Sequence, residues 1–370
     1  MANYETAGRI YNFAAGPAVL PLPVLEQAQR ELLVLPGCGA SVMEISHRSK
    51  PFLAILDQTK ADLATLLALP DSYDILFLQG GARLQFSMVP MNILRGTGKP
   101  ADFVLTGSWG KKALEEAARE GEIHVAWDGK DHGYNCIPED AALQLSKDAA
   151  MVHITSNETI EGVQFASEPK VGDAPLVCDA SSDFLSRPLP MERYGIIYAC
   201  AQKNLGPAGV TVVVIRKDLL ERCQDSLPSY LNYANHAKNN STFNTPPTFA
   251  VYMVGLVAKW LLNDIGGLKA MADINRRKAR LLYEVIDEQS DFYRGHARPD
   301  CRSTMNVTFR LPTEDLEAEF VAQAAERGLG TLKGHRSVGG IRASIYNAMP
   351  VEGVEKLRDF MRDFARQKAT

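Results

Sequence analysis

Apolar residues recur along this chain with two different spacings. Near the start, Leu25, Ala28, Leu32 and Leu33 mark one helical stripe, with Pro21 and Pro23 at its beginning, where a missing N–H costs little. Phe52, Ile55, Leu56, Leu63, Leu66 and Leu67 mark a second. Short unbroken apolar runs follow: 75–78, 103–105, 123–126, 151–154, 176–178, 196–199 and 210–215. Runs of this length, bounded by Gly, Asp or Ser, suit strands buried on both faces of a mostly parallel sheet covered by helices. Lys111–Arg119 reads as one of the intervening helices.

Past about residue 260 the texture changes. Long charged amphipathic helices are expected at 267–288, 313–327 and 351–367, alternating with short strands at 306–310 and 341–346. The expected division is an N-terminal arm at 1–15, a large domain at 16–260 and a small α+β domain at 261–370.

Composition narrows the class. With 370 residues, 46% apolar and 23% charged, the chain has the make-up of a globular protein of more than one core. A net charge of −4 provides no basic field for nucleic acid or an anionic membrane. The most apolar stretch, 249–262, is interrupted by Lys259 and is shorter than a spanning helix requires. The first ten residues are polar and are not expected to act as a secretory leader, and the six cysteines form no C-x-x-C pair. The expectation is a reduced, cytoplasmic protein with no metal site.

Candidate chemistry gathers at strand ends. Lys203 follows the run 196–199 and precedes the turn Gly206-Pro-Ala-Gly209, while Asp179 ends the run 176–178. Taken alone, the first is a surface lysine and the second a helix cap. Together they are the two groups that pyridoxal 5′-phosphate (PLP) needs: an amine for its aldehyde and a carboxylate for its pyridine nitrogen. Gln79-Gly-Gly-Ala-Arg83 joins a strand to a helix expected near Leu84 and offers backbone N–H groups to a phosphate. Trp109, also after a strand, is either a core residue or a stacking platform.

These residues belong to a wider pattern. The chain resembles the phosphoserine aminotransferase family, class V aminotransferases of PLP fold type I. The resemblance runs from Tyr11-Asn-Phe-Ala-Ala-Gly-Pro17 to Gly340-Ile-Arg-Ala-Ser-Ile-Tyr-Asn-Ala-Met-Pro350. Between them lie Glu44-Ile-Ser-His-Arg48, Asn157-Glu-Thr-Ile-Glu-Gly162, Ala201-Gln-Lys-Asn-Leu-Gly-Pro207, Phe243-Asn-Thr-Pro-Pro-Thr-Phe249 and Lys333-Gly-His-Arg336. By that resemblance Lys203 is the Schiff-base lysine, Asp179 the pyridine partner and Trp109 the stacking residue. Ala82, Arg83, Thr159 and Gln202 contact the cofactor. Asn244 and Thr245 reach its phosphate from the neighbouring subunit of a homodimer. Two departures stand out: Ala82 replaces a common third glycine, and Asp183 replaces a small hydroxyl residue.

Arginines bear on the substrate. Arg83, His47-Arg48, His335-Arg336 and Arg342 are either solvated charges or, as a set on an acidic chain, a local anion pocket. The resemblance assigns Arg342 to the α-carboxylate and His47, Arg48, His335 and Arg336 to the distal anion. The implied substrates are L-glutamate and 3-phosphohydroxypyruvate, with a vitamin B6 intermediate left open. Three rivals are weaker. A cysteine desulfurase needs a loop cysteine, for which Cys301 is the one late candidate. An alanine–glyoxylate-type aminotransferase has no use for so many cations, and a non-catalytic relative has no use for Lys203, Asp179 and Arg342. A dinucleotide-binding dehydrogenase would need a G-x-G-x-x-G after an early strand, which is absent.

Overall fold

A computed structural model describes residues 7–368; the first six residues of the expected arm lie outside it. All seven apolar runs form strands of one sheet. They are β1 (Tyr73–Gln79), β2 (Ala101–Leu105), β3 (Ile123–Asp128), β4 (Met151–Thr155), β5 (Leu176–Asp179), β6 (Tyr194–Cys200) and β7 (Val210–Arg216). The order across the sheet is β1-β7-β6-β5-β4-β2-β3. Every pairing is parallel except those of β7, which runs antiparallel to both β1 and β6. The inner strands are buried on both faces, which is why their sequences do not alternate.

Helices cover both faces. The α1 (Leu22–Glu31) stripe ends early, leaving Leu33 84% exposed. Helix α2 (Lys50–Leu67) packs on α5 (Thr248–Trp260) over one face. Helices α3 (Ala82–Ile93) and α4 (Ser108–Ala117) pack together over the other. The apolar stretch at α5 runs on through a π turn to Ile265, and so reaches spanning length, contrary to the sequence expectation. More than half of that window is buried, and α5 is a core helix between α1 and α2.

A second core is built from the rest of the chain. Helices α6 (Leu268–Glu288), α7 (Glu314–Glu326) and α8 (Val351–Lys368) pack against a three-stranded sheet of β8 (Arg294–Gly295), β9 (Asn306–Arg310) and β10 (Ile341–Ser344). Tyr11 and Phe13 of the N-terminal segment join this core, and Tyr11–Asn12 pairs in parallel with Leu329–Gly330. The segment after β4 docks directly on β9. There the Thr308 hydroxyl donates to the Glu161 carbonyl at 2.9 Å, and Gly162, at φ +74°, leaves no room for a Cβ. A methyl group would stand 2.5 Å from Thr308 Oγ1 and 2.8 Å from the Asn306 carbonyl.

Candidate active site

Six strands, all but β7, run in one direction and deliver their carboxyl ends to one edge of the large sheet, where open α/β sheets bind ligands. Asp179 is the last residue of β5, opposite Thr155 of β4 and Tyr198 of β6. Lys203 follows β6 by one tight turn, closed by Leu205 N–H and Gly206 N–H donating to the Ala201 carbonyl. Buried Asn204 anchors that turn by donating to the Ser182 carbonyl at 3.3 Å.

A cavity of about 450 Å³ opens there. Ala82, Arg83, Trp109, Thr159, Asp179, Gln202, Lys203, His335 and Arg342 all line it. Nine of the fourteen residues singled out in the sequence therefore line one cavity. Exposed Arg48, Asn244, Thr245 and Arg336 and half-buried His47 are not among the residues that line it.

The Lys203 Nζ donates to the Thr159 hydroxyl at 2.7 Å and stands 5.6 Å from the centre of the Trp109 ring. Burial opposes the Lys203 charge, but Tyr346, Cys200, Asp179 and Glu158 outweigh it and hold the ammonium above the usual lysine value. Burial also raises Asp179, against the pull of Lys203 and of the Ser181 N–H that donates to its Oδ1 at 2.9 Å. His335 is held below the usual histidine value by burial and then by Arg342, Lys112 and Arg336.

The Gly-Gly-Ala-Arg turn enters α3 two residues earlier than the sequence suggested, at Ala82. Gly80 takes the left-handed backbone, at φ +93°, so Ala82 is simply helical and its methyl group is no obstacle. The N-terminus of α3 has no side-chain cap. Gly81, Ala82 and Arg83 at its start line the cavity, and an uncapped helix N-terminus suits a phosphate.

Two site features escaped the sequence. Glu158 is buried, and its two oxygens accept from Trp109 N–H (3.0 Å) and Gly110 N–H (2.9 Å). Glu161 accepts from Ser108 N–H at 2.9 Å and its hydroxyl at 2.6 Å. Two carboxylates therefore cap the helix that carries Trp109, where the helix dipole favours negative charge. Burial and then Glu161 push Glu158 well above the usual carboxylate range. The one available signal was the pair of acids flanking Thr159 in Asn157-Glu-Thr-Ile-Glu-Gly162. Asp183, the other departure, is buried and accepts from Ser156 Oγ and from Gln164 Nε2, behind Asp179 rather than in the cavity.

These groups fit PLP: an amine, a buried carboxylate, an aromatic face and an uncapped helix N-terminus around one cavity. The model of the class-V aminotransferases matches residues 10–357, and the chain belongs to that family; it is a PLP-dependent aminotransferase. Within the class it groups with the phosphoserine aminotransferases. It is 56% identical to that of Rhodopirellula baltica over 362 residues, 98% of this chain and 96% of the relative. Its fold superposes on the Bacillus circulans subsp. alkalophilus phosphoserine aminotransferase with a TM-score of 0.95 at 50% identity, covering 98% and 99% of the two chains. It superposes on the PLP-bound enzyme of Trichomonas vaginalis with a TM-score of 0.90 at 42% identity, covering 96% and 100%.

Proposed function

We propose that the chain moves the amino group reversibly between L-glutamate and 3-phosphohydroxypyruvate, giving 2-oxoglutarate and O-phospho-L-serine. The observation that carries this reading is the single cavity lined by both the Lys203–Asp179 pair and the cations Arg83 and Arg342. Both substrates have an α-carboxylate and a distal anion, and planar guanidinium groups bind either kind of anion in a bidentate way.

Roles follow from position. PLP, when bound, supplies an aldehyde carbon and a ring that accepts the electron pair left at the substrate Cα. Asp179 would keep a proton on the ring nitrogen, and Trp109 would hold the ring face. Ala82 and Arg83 would hold the cofactor's phosphate, and Thr159 and Gln202 would contact the cofactor from the same cavity. Arg342 fixes the α-carboxylate, which orients the Cα–H bond toward Lys203. The Lys203 amine would take that proton and carry it to the former aldehyde carbon, on the other side of the nitrogen being transferred. His47, Arg48, His335 and Arg336 serve the distal anion.

The exposed positions of Arg48, Asn244 and Thr245 fit a homodimer in which each subunit completes the other's site. The domains divide at 16–260 and 261–370, with the arm at 1–15, so that Arg342 belongs to the small domain. Placement in the cytoplasm is part of the same reading.

Substrate variants test it. Arg342→Ala is expected to raise KM for glutamate, alanine and the keto acid together. Arg48→Ala should penalise glutamate and 3-phosphohydroxypyruvate while sparing alanine. Equal losses for alanine and glutamate with Arg48→Ala would remove Arg48 from the distal site.

A further inference from the structure

Glu161 sits where two cavities meet. A second cavity of about 260 Å³ shares Ile160, His335 and Arg342 with the cofactor-sized one, and Glu161 lines it. The residue is only 5% exposed. Its Oε1 is occupied by the two donors of Ser108. Its Oε2 is buried with no hydrogen-bond partner among the described residues. A buried carboxylate with one oxygen unpaired is costly unless a positive charge compensates it.

The cation available is Arg342, which lines the same cavity. Burial lowers the Arg342 guanidinium, and Tyr346 and then Glu161 act to restore its charge. The separation between the two residues is fixed by the backbone. Thr308, whose hydroxyl holds the Glu161 carbonyl, is the direct ladder partner of Arg342 in the β9–β10 pair. The close approach of Gly162 to β9 locks the same corner.

We propose that Glu161 is a positioning residue for Arg342: a resident anion that keeps the guanidinium aimed at the site and weakens every incoming α-carboxylate by a common factor. This rests on the reading that Arg342 takes the α-carboxylate. An enzyme that must release one carboxylate product before admitting the next substrate gains from such tempering, since uniformly tight binding adds nothing to turnover. The Ser108 bonds hold one oxygen in the α4 cap, and the charge of the unpaired carboxylate acts on Arg342 across the cavity that both residues line.

The experiment compares glutarate binding to the holoenzyme by calorimetry, together with KM for glutamate and alanine. Glu161→Gln retains an oxygen for Ser108 but removes the charge. It is expected to tighten glutarate and lower both KM values alike by about fivefold or more, which at an effective dielectric near 20 corresponds to one unit charge within about 17 Å. Glu161→Ala, which also drops the cap, should show the same tightening and serves if the Gln variant folds poorly. Ser108→Ala, which loses a cap bond and keeps the charge, should leave glutarate binding unchanged. In an Arg342→Ala background the Glu161→Gln effect should vanish. Unchanged or weaker glutarate binding in both Glu161 variants overturns the proposal while leaving the aminotransferase reading intact. Unchanged glutarate binding in Arg342→Ala alone instead removes Arg342 from the carboxylate site.

Discussion

Lys203 donates from Nζ to the Thr159 hydroxyl at 2.7 Å, so the reactive amine is already held at the mouth of its strand, beside the Trp109 ring. The partner hydroxyl comes from the segment after β4 and the amine from the turn after β6, on either side of Asp179. Thr159→Val is expected to retain the fold and loosen the cofactor. Thr159→Ser should restore most of the affinity, as read by dialysis against cofactor-free buffer. Lys203→Ala should lower turnover by a factor of about 10² to 10⁴ or more, the usual contribution of a positioned proton carrier, with the melting temperature checking that the fold survives.

Gly162 is a tight junction between the two cores. Its φ of +74° and the 2.5 Å clash awaiting a Cβ act in the same direction. Gly162→Ala is expected to destabilise the protein by about 2 kcal/mol or more, combining left-handed strain with overpacking. Because the same corner faces Arg342, KM for glutamate should rise as well. Chemical denaturation and steady-state kinetics on the same preparation measure both effects.

His153 gives the protein an acid-sensitive core. Its Nε2 lies 2.8 Å from the Tyr198 hydroxyl, its ring stacks on Phe103, and its Nδ1 is buried without a partner among the described residues. Burial pushes it down to about 3. Between the unfolded value near 6.5 and that folded value the unfolded chain binds the extra proton, so stability falls as pH drops through this window. The slope should approach about 1.4 kcal/mol per pH unit from this group alone. His153→Gln should flatten the dependence of the melting temperature on pH across that range. An unchanged profile would show that other groups govern acid unfolding.

Much of the fold was legible because inner strands buried on both faces must be continuously apolar. The reversal of β7 was not, because Val210–Ile215 would be equally apolar running either way and hydropathy carries no strand direction. Lys203, Asp179 and Arg342 could be picked out because each stands at or beyond an apolar run, or within a motif of the family. Glu158 and Glu161 could not. An acid in a sequence reads as solvated, and only the meeting of α4 with the segment after β4 shows that both are buried caps. Arg48, Asn244 and Thr245 are visible as motif residues, yet the folded single chain leaves all three exposed. Their proposed roles depend on a second subunit, which hydropathy and spacing do not describe.

The most direct measurement follows the absorbance of the bound cofactor through each half-reaction separately. Glutamate alone should convert the yellow holoenzyme to its amine-carrying form, and 3-phosphohydroxypyruvate alone should then return the original spectrum, with Lys203→Ala doing neither catalytically. A protein that stays colourless when supplied with PLP, or a spectrum that glutamate leaves unchanged, would contradict the account.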